Sequence, residues 1–377
     1  MKKTQKMSSY LRDNKTFVIA VLGVLTVILL LLFVTTKTNG VSTMNSEPSL
    51  AQNQYPIKDS DVQGVQSDNS RDDTSTTTTA TNIGEAAESQ DINQDDNQPE
   101  PVEPEPQDLS SVQVQAEAAI VWDTETGTSL YEKNVDTEMP LASITKLMTA
   151  LVAAESVNNP DEQEVIITRE HLEAYGTSGL VAGQTWNIQD LISFMLMSSA
   201  NDAARAVAAH SSEEKADGYY AKAFIEEMNN KARELDLEST YFFNPSGLDL
   251  NETLISGGYG NARDVARLFG YILQTNQGIL EPTTVSSRVF QSNEGATYSS
   301  QNTNTQLSRF SNILGSKTGY TVLAGGNLVM GFDLENPVVI VVLGSTRHGR
   351  FTDMEKLYHA TIQHFNQQKT TNEIGIN

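Results

Sequence analysis

The sequence predicts an α/β domain carried behind an amino-terminal membrane span and a long disordered tether. Apolar strand-like segments bracket a middle with helical periodicity, which suggests one domain whose sheet joins both of its ends. Residues 17–34 form an uncharged apolar run. Between the run and the domain, the chain is acidic, polar and poor in large apolar side chains.

Residues 1–16 are basic, with Lys2, Lys3, Lys6, Arg12 and Lys15. The anchor follows at 17–36. At about 1.5 Å per residue its apolar part spans roughly 27 Å, close to the hydrocarbon thickness of a bilayer. The preceding bases keep the amino terminus cytoplasmic, so the rest of the chain is expected outside a cell membrane that it crosses once. A cleaved signal peptide is the alternative, but Val34-Thr35-Thr36-Lys37 offers no A-x-A-like site. The linker, 37–111, contains Thr76 to Thr79 in a row and a Pro-Glu run from Pro99 to Pro106. Such a coil reaches roughly 50 Å.

The predicted domain covers 112–368, with a disordered tail at 369–377. Strands at 118–122 and 129–131 flank a turn at 123–127, and Pro140 precedes a helix with Ile144, Leu147, Met148 and Leu151 on one stripe. Further helices are predicted at 188–197, 202–210, 219–235 and 262–273. Strands at 327–333 and 338–343, joined by the turn Glu335-Asn336-Pro337, precede a last helix at 352–365. There is no internal repeat.

Composition removes several function classes. The 377 residues include no Cys, which excludes disulfide scaffolds, thiolate metal sites and cysteine nucleophiles. A net charge of −23 argues against nucleic-acid binding. The five histidines form no H-E-x-x-H pattern, and no serine lies in G-x-S-x-G. No metal or cofactor is implied.

What remains is a serine activated by lysine. Ser143-Ile144-Thr145-Lys146 sets a hydroxyl and an amine three residues apart, about one helical turn. A neutral Lys146 can then accept the proton as Ser143 attacks a carbonyl. Ser212-Glu213-Glu214-Lys215 has the same spacing in a polar stretch, whereas Ser143 precedes the apolar run 147–154, which can bury the lysine. Ser199 and Asn201 lie two apart at a turn between predicted helices. Ser67-Asp68-Asn69, Ser156-Val157-Asn158 and Ser300-Gln301-Asn302 repeat that pattern and read as coincidence. Lys317-Thr318-Gly319 occurs once, where a glycine on an extended edge lets a substrate backbone approach.

In this order the motifs resemble S-x-x-K, S-x-N and K-T-G of the penicillin-recognising serine enzymes. The match is closer to the low-molecular-mass D-alanyl-D-alanine carboxypeptidases, the S11 serine peptidases. Segments 118–122, 140–150, 196–203, 243–248 and 317–321 carry the resemblance, which covers roughly 112–366. It implies a β-lactamase/transpeptidase-like fold, with an antiparallel sheet drawn from both ends of the domain and an all-helical subdomain. It also implies an acyl-enzyme on Ser143 with Lys146 as base, its pKa lowered by burial and by Lys317. Ser199 and Asn201 would relay a proton to the leaving amine and hold the substrate amide. The N–H groups of Ser143 and Tyr320 would form the oxyanion hole. Lys317, Thr318, Gly319 and Arg350 would bind a peptidoglycan stem peptide ending in D-Ala-D-Ala, with Arg347 competing for the arginine's role. β-Lactams would be covalent inhibitors.

Two departures stand out: Ala200 where relatives commonly have Gly, and a chain ending soon after the last predicted helix. A class A β-lactamase needs an E-x-x-L-N segment between the second and third motifs, and none occurs. A D,D-endopeptidase remains open, as does a non-catalytic wall-binding protein.

Overall fold

Pro337–Ser345 is apolar at consecutive positions rather than alternate ones, as a strand covered on both faces requires. In the computed structural model it is the central strand of a five-stranded antiparallel sheet. The structure describes residues 108–374, apart from 158–162, 174–175, 177, 213–221 and 251–253. The predicted anchor at 17–36, the tether up to residue 107 and Ser67-Asp68-Asn69 lie outside the described residues.

The chain enters through a 3-10 turn, Leu109–Ser111, and forms β1 (Ala118–Asp123), β2 (Thr128–Lys133) and the short β3 (Met139–Pro140). A second 3-10 turn, Ala142–Thr145, runs into α1 (Lys146–Ser156). β4 (Glu164–Ile166) and β5 (Thr185–Asn187) pair before α2 (Ile188–Ser198), α3 (Asn201–Ser211) and α4 (Lys222–Glu234). β6 (Tyr241–Phe242) and β7 (Gly258–Gly260) join β3 in a small sheet. After α5 (Ala262–Asn276) come the hairpin β8 (Ser287–Gln291) and β9 (Thr297–Gln301), then β10 (Ile313–Thr321), β11 (Gly325–Asp333), β12 (Pro337–Ser345) and α6 (Gly349–Ile374).

The main sheet has the order β10-β11-β12-β1-β2, so the predicted junction of the domain's two ends is the β1–β12 pair. Strand alternation divides the core. Ile120, Val329, Val339 and Val341 face α1 and Val265 and Phe269 of α5, whereas Val121, Met330, Ile340 and Val342 face Met354 and Leu357 of α6. β10 is left at an edge, with one row of its backbone groups unpaired by the sheet.

Three expectations need correction. The helical side is not all-helical: β4–β5 and β8–β9 pack there as well. β8 buries only Phe290, so it lacks the alternation that identifies a strand. The tail read as disordered from 369 is helical through Ile374, since α6 continues past its apolar stripe and Thr370 bonds back to Asn366. Leu109, assigned to the tether, is 2% exposed and packs in the α6-side core. One apolar residue beside a Pro-Glu run is too short a signal to mark a boundary.

Candidate active site

Ser143 lies in the 3-10 turn and not in α1, which begins at Lys146. In that tighter turn residues i and i+3 eclipse, bringing the two side chains closer than α-helical stacking does. Ala142, just before the nucleophile, has φ +49°, a left-handed conformation that a non-glycine residue adopts at a cost of about 1–2 kcal/mol. Its surroundings hold it there. The side chain of Asn327 on β11 donates to the Pro140 and Leu141 carbonyls. Gly247, at φ +76°, lies so close that a Cβ would sit 1.8 Å from the Ala142 oxygen.

Lys146 is wholly buried, and its Nζ lies 2.9 Å from Ser143 Oγ, 2.8 Å from Asn201 Oδ1 and 2.7 Å from the Ser246 carbonyl. A neutral amine has two N–H donors and one lone pair. Two of its neighbours, the Asn201 and Ser246 oxygens, can only accept. The lone pair is therefore left for the Ser143 hydroxyl, the arrangement a general base needs. Burial lowers the Lys146 pKa to about 7, against an opposing pull from Asp202. Lys317, expected to help, is itself pushed well below the ordinary lysine value by burial and by Lys146 and Arg350.

The second and third motifs meet this pair. Ser199 caps α2 in a left-handed conformation, φ +60°, and Asn201 opens α3, so the turn delivers hydroxyl and amide to one cleft. Lys317, buried on β10, donates to Ser199 Oγ at 2.9 Å and to the Thr318 carbonyl at 2.9 Å. Thr318 Oγ1 donates to Thr303 Oγ1 at 2.7 Å. Gly319 also has a packing role. A Cβ there would lie 2.8 Å from the Leu141 carbonyl and 3.3 Å from Ala142 Cβ, so the glycine lets β10 press against the nucleophile's turn.

The two arginines are separated by the structure. Arg350 is buried, donates to the Gly319 carbonyl at 2.6 Å, and keeps its Nε without a protein partner. Burial, with Arg347 nearby, lowers its pKa to about 10. Arg347 is exposed and stacks over the Tyr320 ring at 5.2 Å. An arginine with an unused donor beside the K-T-G strand is equipped to grip a carboxylate.

Sequence reasoning gave no site role to the loop 244–248. Asn244 Oδ1 accepts from the Ser246 and Gly247 N–H groups, and Pro245 accepts from Thr149. This cradle aims the Ser246 carbonyl at Lys146. Asn-Pro-Ser-Gly is a turn signature, and only that turn chemistry could have pointed to it. Asp202 was also missed: 1% exposed, it accepts from the N–H and hydroxyl of Ser178 and fixes the start of α3. A cavity of about 380 Å³ adjoins Ser199 and Asn201. A larger groove, about 690 Å³ between α4 and β6, contains none of the motif residues.

Known proteins are similar to this chain. The peptidase S11 family model, described as D-alanyl-D-alanine carboxypeptidase, matches residues 103–347. A D-alanyl-D-alanine endopeptidase of Pseudomonas aeruginosa is 34% identical over 244 residues, 64% of this chain and 75% of that protein. The Bacillus subtilis D-alanyl-D-alanine carboxypeptidase DacF is 29% identical over 211 residues, 55% of this chain and 51% of its own length. Penicillin-binding protein D2 of Listeria monocytogenes, in an ampicillin-bound crystal structure, superposes with a TM-score of 0.56 at 32% identity, covering 66% of this chain and 98% of that one. Ser143, Lys146, Ser199, Asn201 and Lys317 converge within a sheet-and-helix frame similar to that of the Listeria protein, and the chain belongs to the S11 family of serine-type D-Ala-D-Ala peptidases.

Proposed function

We propose that the protein is a D-alanyl-D-alanine carboxypeptidase that removes the terminal D-alanine of peptidoglycan stem peptides through an acyl-enzyme. The buried Lys146 amine, 2.9 Å from Ser143 Oγ and within 2.8 Å of two oxygens that can only accept, is the observation that carries this reading. Ser143 Oγ attacks the carbonyl between the two D-alanines while Lys146 takes its proton. The N–H groups of Ser143 and Tyr320 receive the oxyanion, an effect worth about 3–4 kcal/mol per donor. Lys146 returns that proton through Ser199, backed by Lys317, to the departing amine as the C–N bond breaks, and is left neutral. Water then cleaves the ester, with Lys146 again as base, and Ser143 is restored. Thr318 and Arg350 hold the leaving carboxylate.

Penicillin mimics the acyl donor. Ampicillin bound to the Listeria protein supports covalent inhibition here, and the missing E-x-x-L-N segment supports slow release. A second reading, endopeptidase cleavage of crosslinks, is favoured by the name of the Pseudomonas relative. Membrane anchorage through 17–36 and an extracytoplasmic domain rest on the apolar run and its flanking bases alone.

D-Alanine release from a stem pentapeptide, run beside fluorescent-penicillin labelling, tests the reaction. We expect stoichiometric release and an adduct that persists for hours. Rapid penicillin turnover would favour a β-lactamase, and crosslink cleavage without D-alanine release an endopeptidase. Arg350→Ala should raise KM and lower kcat/KM by roughly 10- to 100-fold, the usual worth of a charged hydrogen bond. Arg347→Ala should stay within about threefold, as an exposed charge does. The reverse order would move the carboxylate to Arg347.

A further inference from the structure

The groove of about 690 Å³ between α4 and β6 has no role in these steps. Glu226, Asn230 and Arg233 recur at helical spacing along α4 and line one side, all three exposed. Tyr241 and Phe243 line the other, with the buried Phe242 between them in sequence. Strand alternation turns Tyr241 and Phe243 to the face of the small sheet opposite Phe242. On that face Tyr241 stacks on Tyr259 of β7, centroids 5.3 Å apart and planes inclined by 22°, and Phe243 stands edge-on to both at 5.6 and 6.4 Å. The two hydroxyls fix this platform: Tyr241 donates to Glu138 at 3.0 Å, and Tyr259 accepts from the Ser256 N–H at 3.0 Å. Phe243 nevertheless stays 43% exposed. An aromatic platform left in water beside a row of polar side chains suits a ligand with one apolar face and a polar rim.

The lining narrows what that ligand can be. Asn229 Nδ2 donates to the Phe242 carbonyl at 3.0 Å while its Oδ1 accepts the Phe242 N–H at 2.8 Å, so the outer edge of β6 is closed to an added peptide strand. Among the described residues, the carboxylates Glu226, Asp236 and Glu238 face a single cation in the lining, Arg233, which disfavours a polyanion. A pyranose ring meets both demands. Its C–H face covers an aromatic ring, and its hydroxyl and acetamido groups bond to carboxylates, amides and guanidinium. Arg233 spends one of its five N–H donors on Asn230 Oδ1, which leaves others for such a ligand.

The groove also lies within a stem's length of the nucleophile. Phe243 is three residues from Ser246, at most about 11 Å. The Ser246 carbonyl is 2.7 Å from Lys146 Nζ, which is 2.9 Å from Ser143 Oγ. Four residues of an extended stem cover about 13–14 Å up to the attacked carbonyl, and the sugar that bears the stem lies beyond them. We propose that the groove binds the N-acetylated amino sugar that carries the stem, with its apolar face on Phe243 and Tyr241 and its polar rim on Asn230 and Arg233. A bare stem peptide then uses only part of the binding surface. This rests on the peptidase reading above.

Calorimetric titration of the full chain with the tetramer of N-acetylglucosamine tests the groove alone. We expect saturable binding, weakened at least about fivefold by Phe243→Ala and by Arg233→Ala, both at exposed positions. Arg233→Ala decides the matter should a thermal melt show that Phe243→Ala is misfolded. D-Alanine release is then compared for a stem pentapeptide and for the same stem on its N-acetylated amino-sugar disaccharide. The sugar should lower KM about tenfold with kcat unchanged, and Arg233→Ala should erase that advantage while leaving release from the bare stem as it was. A wild type that does not bind the tetramer, binding that neither substitution weakens, or equal KM for the two substrates overturns the proposal. Failure of both substrates to release D-alanine would defeat the carboxypeptidase reading, while the titration would still decide what the groove binds.

Discussion

Ser143→Ala is expected to abolish covalent labelling by penicillin and to lower D-alanine release by at least about 10,000-fold, the scale seen when a serine nucleophile is removed. The hydroxyl is the acyl acceptor, 2.9 Å from an amine whose two other neighbours can only accept. Ser199 Oγ is the nearest rival, but its partner Lys317 has one acceptor-only neighbour, the Thr318 carbonyl, where Lys146 has two. The fold should survive. Ser143 is half-buried, and Lys146 keeps both carbonyl partners without it, so unfolding free energy should change by no more than about 1 kcal/mol. Mass spectrometry of the penicillin-treated variant, with a thermal melt, checks both parts. An adduct on Ser199 in the variant would reassign the nucleophile.

The groups that do chemistry were legible in the sequence because they are few, of fixed type and fixed spacing. Ser143, Lys146, Ser199, Asn201 and Lys317 all reach one cleft. The strands 118–122 and 338–343 were legible for a different reason: β-branched and aliphatic runs between turn residues have few other uses. What stayed hidden depends on contacts between distant segments. Gly319 reads as room for a substrate, and only the packed β10 shows that a Cβ there would meet Leu141 and Ala142. The Asn244–Gly247 turn was visible as a turn, but its carbonyl's partner lies a hundred residues away at Lys146. Asp202 looked like an ordinary acidic start to a helix, and its influence on Lys146 appears only once α3 is placed beside α1. β8 and β9 were invisible because the hairpin buries few apolar side chains: β8 buries Phe290 alone, and the buried residue of β9 is the polar Ser300.

The pH profile should report Lys146 directly. As a base the amine must be unprotonated, and with its pKa near 7, kcat/KM for acylation should fall about tenfold per pH unit below that point. An ordinary lysine would place this fall near 10.5, leaving almost no active base at neutral pH. Asp202→Asn removes the carboxylate that favours the ammonium, so the acid limb should move to lower pH while retaining its shape. A limb that moves upward would mean that the carboxylate acts through the Ser178 contact instead of through charge. The same depressed pKa has a signature in stability. Between about 7 and 10.5 the unfolded chain binds a proton at Lys146 that the folded chain lacks, so unfolding free energy rises with pH across that window. Lys146→Met abolishes acylation and removes this contribution. Melting the two proteins at pH 7 and again near pH 10 should therefore move the difference in the wild type's favour at the higher pH. A difference that stays constant would mean that Lys146 is charged in the folded state, leaving Ser143 without its base.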